Sequence, residues 1–136
     1  MADLVITPAN VLAYGGAPTK DGVAGETLTA GQTLYRKAAD GKLYKAAATS
    51  AALAAAVGVA LNGGAAGQPV KYCEGGGLNP GATVAVGTIY GVTDTAGGIG
   101  PVSERAAADF ITILGIGITA SRINLAINAS GVAIPA

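Results

Sequence analysis

The chain has no histidine and no tryptophan, and only one cysteine, one methionine and one phenylalanine in 136 residues. Without imidazole there is no Ser-His-Asp or Cys-His machinery and no histidine metal ligand. One thiol, Cys73, makes neither an internal disulfide nor a thiolate zinc site. Charge is scarce too: only 12% of residues are charged, and eight basic side chains cancel eight acidic ones. No field is left to hold nucleic acid or an anionic membrane. The first residues, Met1-Ala-Asp-Leu-Val-Ile-Thr-Pro-Ala, lack the basic and apolar regions of a signal peptide. The longest charge-free stretch, 46–70, owes its apolar content mostly to alanine, so no spanning helix is expected.

What is present is small and apolar. Alanine and glycine supply 52 residues, yet 51% of the chain is hydrophobic and mean hydropathy is +0.50. That balance argues against disorder and for surface buried against partners. Short apolar segments recur between glycine-rich turns, the pattern of an all-β domain. Strands are expected at Leu4–Thr7, Val11–Ala13, Thr33–Ala38, Leu43–Lys45, Val57–Leu61, Gln68–Cys73, Thr83–Val86, Ile89–Thr93, Phe110–Thr119 and Arg122–Asn128. In Phe110–Thr119 the isoleucines change parity at Gly115, which predicts a bulge there. Helix is confined to two short candidates, Thr49–Ala56 and a turn at Ser103–Asp109 with Ser103 as N-cap; an irregular connection fits either stretch equally.

An internal repeat organises the rest. Gly25-Glu-Thr-Leu-Thr-Ala-Gly31 matches Gly81-Ala-Thr-Val-Ala-Val-Gly87. Leu34-Tyr35 matches Ile89-Tyr90, and Val57-Gly-Val-Ala-Leu61 matches Leu114-Gly-Ile-Gly-Ile118, at offsets of 55–57. Two similar β-units, about 23–78 and 79–131, are expected to pair into one small β-barrel or β-sandwich spanning 23–136. Residues 1–22 stand outside the repeat and read as an extended N-terminal arm.

No catalytic constellation emerges. The glycine clusters at 63–67 and 75–77 lack the Gly-Lys-Ser/Thr ending of a phosphate loop and read as turns. Asp3, Asp21, Glu26, Asp40, Glu74, Asp94, Glu104 and Asp109 are scattered over turns, without the Asp-x-Asp-x-Asp spacing of a calcium loop. Cys73 has no basic neighbour and reads as a buried structural thiol. The five tyrosines suit core or interface packing, with carbohydrate stacking as the alternative. Arg36, Lys37, Lys42 and Lys45 flank a hairpin as a solvated edge, or as a patch for an acidic protein. Catalytic, cofactor and metal sites are therefore not expected.

The segments Gly25-Glu-Thr-Leu-Thr-Ala-Gly-Gln-Thr-Leu-Tyr35, Asp40-Gly-Lys-Leu-Tyr-Lys-Ala46, Val57-Gly-Val-Ala-Leu-Asn62 and Ala66-Gly-Gln-Pro-Val70 resemble the capsid cement, or head decoration, proteins of tailed bacteriophages. Thr93-Asp-Thr-Ala-Gly-Gly-Ile99, Asp109-Phe-Ile-Thr-Ile-Leu-Gly115 and Arg122-Ile-Asn-Leu-Ala-Ile-Asn128 extend the likeness to about 23–131. The resemblance implies a non-enzymatic virion protein, made in the host cytoplasm, that binds the major capsid protein on the outer head surface, commonly as a homotrimer. It implies neither nucleic acid nor membrane as partner. Similar segments also occur in head fibres and tail adhesins, so a module binding a host receptor or glycan is the alternative. The arm, Ala2–Lys20, is expected to latch onto the capsid or a neighbouring subunit. The interface candidates are Leu4, Val5, Ile6, Pro8, Val11, Leu12, Tyr14, Arg36 and Lys37.

Overall fold

The computed structural model describes residues 3–135. The fold is all-β, two antiparallel sheets with one half-barrel among them. The strands are β1 (Val11–Ala13), β2 (Thr19–Val23), β3 (Thr33–Arg36), β4 (Leu43–Lys45), β5 (Ala56–Ala60), β6 (Pro69–Cys73), β7 (Gly75–Pro80), β8 (Ile89–Val92), β9 (Ile99–Pro101), β10 (Phe110–Thr119) and β11 (Arg122–Ala133). One sheet has the order β2-β6-β5-β3-β4, the other β1-β7-β11-β10-β8-β9. Counted from β2 and from β7, the two orders are the same, and β1 is an addition at the edge of the second.

The duplication extends to hydrogen-bond register. In the β3–β4 hairpin Leu34, Tyr35 and Arg36 face Lys45, Tyr44 and Leu43. In the β8–β9 hairpin Tyr90, Gly91 and Val92 face Pro101, Gly100 and Ile99, every residue 56 positions later. Gly41 and Gly97, also 56 apart, take φ of +70° and +79° at the two hairpin ends, a region open to glycine at little cost. The same correspondence holds one strand further in, now at 57: Thr33–Val59, Leu34–Gly58 and Tyr35–Ala56 become Ile89–Ile116, Tyr90–Gly115 and Gly91–Ile113. Both ladders skip one residue, Val57 in β5 and Leu114 in β10, so the bulge expected at Gly115 is present and has a twin. Register thus pairs Leu34 with Tyr90 in the repeat, not with Ile89 as the sequence match suggested.

Three strands escape the sequence pattern. β2 takes residues 19–22 out of the expected arm and pairs them with β6. β7 occupies Gly75–Pro80, where a turn was expected, because β1 and β11 grip it from both sides. β9 is three residues long and ends in a proline that needs no ladder donor at a sheet edge. Conversely, 83–86 is irregular, and Val84 drops from this loop into the core. Among the described residues helix amounts to one turn, α1 (Ala51–Ala54), and two 3₁₀ turns at Pro8–Asn10 and Val102–Glu104. Ser50 caps α1 by accepting from the Leu53 N–H at 3.2 Å. Pro101, rather than Ser103, stands at the N-cap of the second 3₁₀ turn.

Two cores result. The larger lies between the sheets and takes Tyr90, Val92, Ile99, Leu114, Ile123 and Leu125 from one side, and Ala56, Val59 and Cys73 from the other. The smaller lies on the far face of the five-stranded sheet, where Leu34, Leu43, Ala60, Val70 and Tyr72 are covered by Ala24 and Leu28. Buried hydroxyls are paired: Thr112 donates to the Ala54 carbonyl, and Thr93 donates to Asp3 Oδ2 at 2.8 Å.

Candidate docking surfaces

The N-terminal segment is strapped to its own domain. The Leu4 N–H donates to the Ile99 carbonyl and the Thr7 N–H to the Gly81 carbonyl, both at 2.8 Å. The chain is extended, so side chains alternate. Leu4 and Ile6 turn inward and pack on the larger core, joined by Val11, Ala13 and Ala17. Val5 and Leu12 turn outward and are 89% and 58% exposed. Pro8 is exposed as well. Of the arm expected to reach out, Ala2 lies outside the described residues, and Leu4, Ile6 and Val11 serve intramolecular packing.

Val5 and Leu12 border a groove of about 670 Å³ along β1 and the 81–83 loop, with Asn10, Asn79, Thr83 and Ser121 in its walls. No charged side chain lines it. β1 is the edge strand here, so the groove has a short strip of backbone open to a partner.

The remaining candidates fall elsewhere. The Tyr14 ring is stacked by the Arg122 guanidinium at 4.5 Å. Arg36 donates to the Gly41 carbonyl at 2.7 Å and to Tyr72 Oη at 3.2 Å, which ties the β3–β4 hairpin to β6. Lys37 lies 5.1 Å over the Tyr44 ring, and Tyr44 donates to Asp40 Oδ2 at 2.6 Å. That bond, with one from the Lys42 N–H, holds the Asp40 carboxyl below the usual carboxylate value and pushes the Tyr44 phenol above its own. Arg36 and Lys37 are thus internally engaged.

The chemistry-bearing groups Cys73, Asp94, Arg105 and Asp109 serve packing and loop contacts among the described residues. Cys73 is buried and donates to the Gly75 carbonyl at 3.1 Å; burial raises its pKa, the opposite of a nucleophile's need. Asp94 and Asp109, distant in sequence, meet beside Arg105, whose Nη1 lies 3.6 Å from Asp94 and 4.0 Å from Asp109. Asp109 also accepts from the Ala106 N–H at 2.9 Å. Partial burial and the hydrogen-bonded neighbouring carboxylate raise the Asp94 pKa, and Arg105 opposes this in part. The cluster joins the β8–β9 turn to the β9–β10 loop as a clamp. Among the described residues no group of three or more carboxylate or thiol ligands could hold a metal ion, and no helix is long and apolar enough to cross a membrane.

One surface has no counterpart among the sequence candidates. The outer face of the six-stranded sheet presents Ile89, Ile113, Ile116 and Ile118, flanked by Asn124 and Ala126. Ile89, Ile116 and Ile118 are each close to half exposed. A shallow depression of about 240 Å³ runs among Ile89, Ile113, Gly115 and Ile116. The parity change in Phe110–Thr119 is its sequence signal, but isoleucine on both parities hid which set faces out.

No protein-family model matches the chain, and neither does any curated protein.

Proposed function

We propose that this chain is a structural assembly protein that acts by docking, and that its target is the outer surface of a tailed-phage head. The exposed pair Val5 and Leu12, beside an uncharged groove at an open sheet edge, carries the docking half of this reading. Apolar side chains held outward by a fixed strap cost little entropy on binding. The phage half rests on the sequence resemblance. In this reading the strap does not reach out as a latch; its inward residues anchor it, and its outward residues form the contact.

The action is mass action. A protein that binds only the assembled lattice stabilises it by RT ln(1 + [L]/Kd), about 2.7 kcal/mol per site at a hundredfold excess over Kd. Repetition over many sites multiplies the effect.

Cosedimentation of the purified chain with expanded heads of the phage that encodes it tests the proposal. Saturable binding is expected, weakened about tenfold or more by Leu12→Asp together with Val5→Asp. Binding to host cells or glycans in place of heads would sink it in favour of the adhesin reading.

A further inference from the structure

We infer that Asn62–Gly63, just past β5, is a self-modification site: the Gly63 nitrogen closes on the Asn62 side chain and converts it to aspartate or isoaspartate without an enzyme. The sequence singles out this pair. Of the five asparagines, Asn79 precedes a proline, which has no N–H to become a nucleophile. Asn10, Asn124 and Asn128 precede Val, Leu and Ala, whose Cβ crowds the attacking nitrogen. Asn62 precedes glycine, which has no Cβ and allows close approach. Packing dictates that glycine, because a Cβ at 63 would meet the Leu28 carbonyl oxygen at 2.9 Å. Both residues are exposed, so water reaches the site.

The surroundings aid the step. Attack at Cγ moves negative charge onto Oδ1, and the Lys71 N–H donates to that oxygen at 2.7 Å. A backbone donor held in place by β6 stabilises an oxyanion as it develops. The Gly63 N–H has no hydrogen-bond partner among the described residues, so no bond must break before it attacks. The nitrogen gives up its proton and bonds to Cγ; the Cγ–Nδ2 bond breaks, and ammonia leaves with that proton. Water then opens the five-membered imide at either carbonyl. Nδ2 donates to the Gly63 and Pro69 carbonyls at 3.0 and 3.3 Å, which a product carboxylate cannot do. Isoaspartate also lengthens the backbone beside Gly64. Gly64 and Leu28 exchange two backbone hydrogen bonds, and Leu28 closes the smaller core. Conversion therefore loosens this plug and gives the neutral chain a negative charge. The inference is independent of the capsid reading, and is tested without heads.

The full chain is held at 37 °C in mildly alkaline buffer, and peptide mapping with isoaspartate detection follows each asparagine. Residue 62 is expected to convert first. It should convert about tenfold faster in the folded chain than in the same chain kept unfolded in guanidinium, because only the fold presents the Lys71 donor. Asn62→Gln, which would have to close a six-membered ring, should suppress the change at 62 and leave the other asparagines as they were. Asn62→Asp, one of the two products, should unfold at a lower urea concentration than the parent. A folded-chain rate at residue 62 equal to or below the unfolded-chain rate overturns the inference. So does earlier conversion of another asparagine. An Asn62→Asp variant with the parent's urea midpoint overturns the loosening of the Leu28 plug.

Discussion

The two sheets share strand order, register and bulge, yet they spend their faces differently. In the five-stranded sheet Leu34, Leu43, Val57, Ala60 and Tyr72 line a small core closed by the chain's own loop, and Thr33, Ala56, Val59 and Cys73 on the opposite face pack on the other sheet. In the six-stranded sheet the counterparts of the first set, Tyr90, Ile99, Leu114, Gly117 and Ile123, lie in or beside the central core. Of the counterparts of the second set, Ile89, Ile116 and Asn124 are exposed and Ile113 is half-buried. Leu28 and Val84, at equal places in the repeated turn, plug the two cores in turn. One β-unit, used twice, therefore buries both faces in its first use and only one in its second. The first unit is finished within the chain; the second leaves Ile89 and Ile116 on an open face.

The strap and β1 have no counterpart in the first unit, and removing them tests the asymmetry most severely. Deletion of residues 1–18 uncovers the side of the core on which Leu4, Ile6, Val11, Ala13 and Ala17 pack. Each half-buried aliphatic side chain accounts for about 1 kcal/mol of apolar burial, and small domains have only about 5–15 kcal/mol in hand. The truncated chain should be largely unfolded at 37 °C by circular dichroism. This departs from the expectation, natural for a free arm, that the β-domain folds without it.

The shared feature can be broken at two matching glycines. A Cβ at Gly58 would meet the Cys73 carbonyl oxygen at 2.5 Å, and one at Gly115 would meet the Asn124 carbonyl oxygen still closer. Backbone cannot yield as a side chain can, so Gly58→Ala and Gly115→Ala should each cost about 3 kcal/mol in urea unfolding. A large cost at one site and none at the other would show that the bulges are not equivalent.

The difference in faces is sharpened by a milder pair. Val59→Ala removes two methyl groups from a fully buried site and should cost about 2 kcal/mol. Ile116→Ala, at the matching position but 44% exposed, should cost the isolated chain about 0.5 kcal/mol. Measured by the same denaturant titration at low protein concentration, equal costs would remove the distinction between the two faces.

How much of this was legible in the sequence follows from which forces act locally. Val11–Ala13, Leu43–Lys45 and Phe110–Thr119 announce themselves through β-branched and aromatic content between turns, and the structure has them at those bounds. β2, Thr-Lys-Asp-Gly-Val, has no alternation to find; partners on β6 make it a strand, with Lys20–Glu74 and Lys71–Asp21 ion pairs across its surface. β7 begins Gly-Gly-Gly, a sequence with no strand preference of its own. The repeat was visible, but its register was off by one at Leu34, because only the hydrogen bonds distinguish Ile89 from Tyr90. The isoleucine face was present as a parity change, while the choice of the solvent side is tertiary. The Asp94–Arg105–Asp109 clamp joins two loops, and no local pattern encodes it.

That clamp has no counterpart in the first unit and gives the smallest expected effect. Asp94 titrates above the ordinary aspartate value in the folded chain, chiefly through partial burial and then through Asp109. A carboxyl with a raised folded pKa favours the folded state in its protonated form. Its stabilising contribution is complete below the unfolded value and is lost as pH rises through the folded one. Asp94→Asn removes the proton equilibrium while keeping the shape and one hydrogen-bonding oxygen. Asp94 is about half exposed and the Arg105 contact is long, so solvent screens most of the effect. The variant should melt roughly 1 °C higher than the parent at pH 7, and the gain should fade as pH drops through the carboxylate range. A variant that melts lower at pH 7 would mean that the Arg105 pair outweighs the Asp94–Asp109 repulsion, so that the clamp closes most firmly when both carboxylates are ionised.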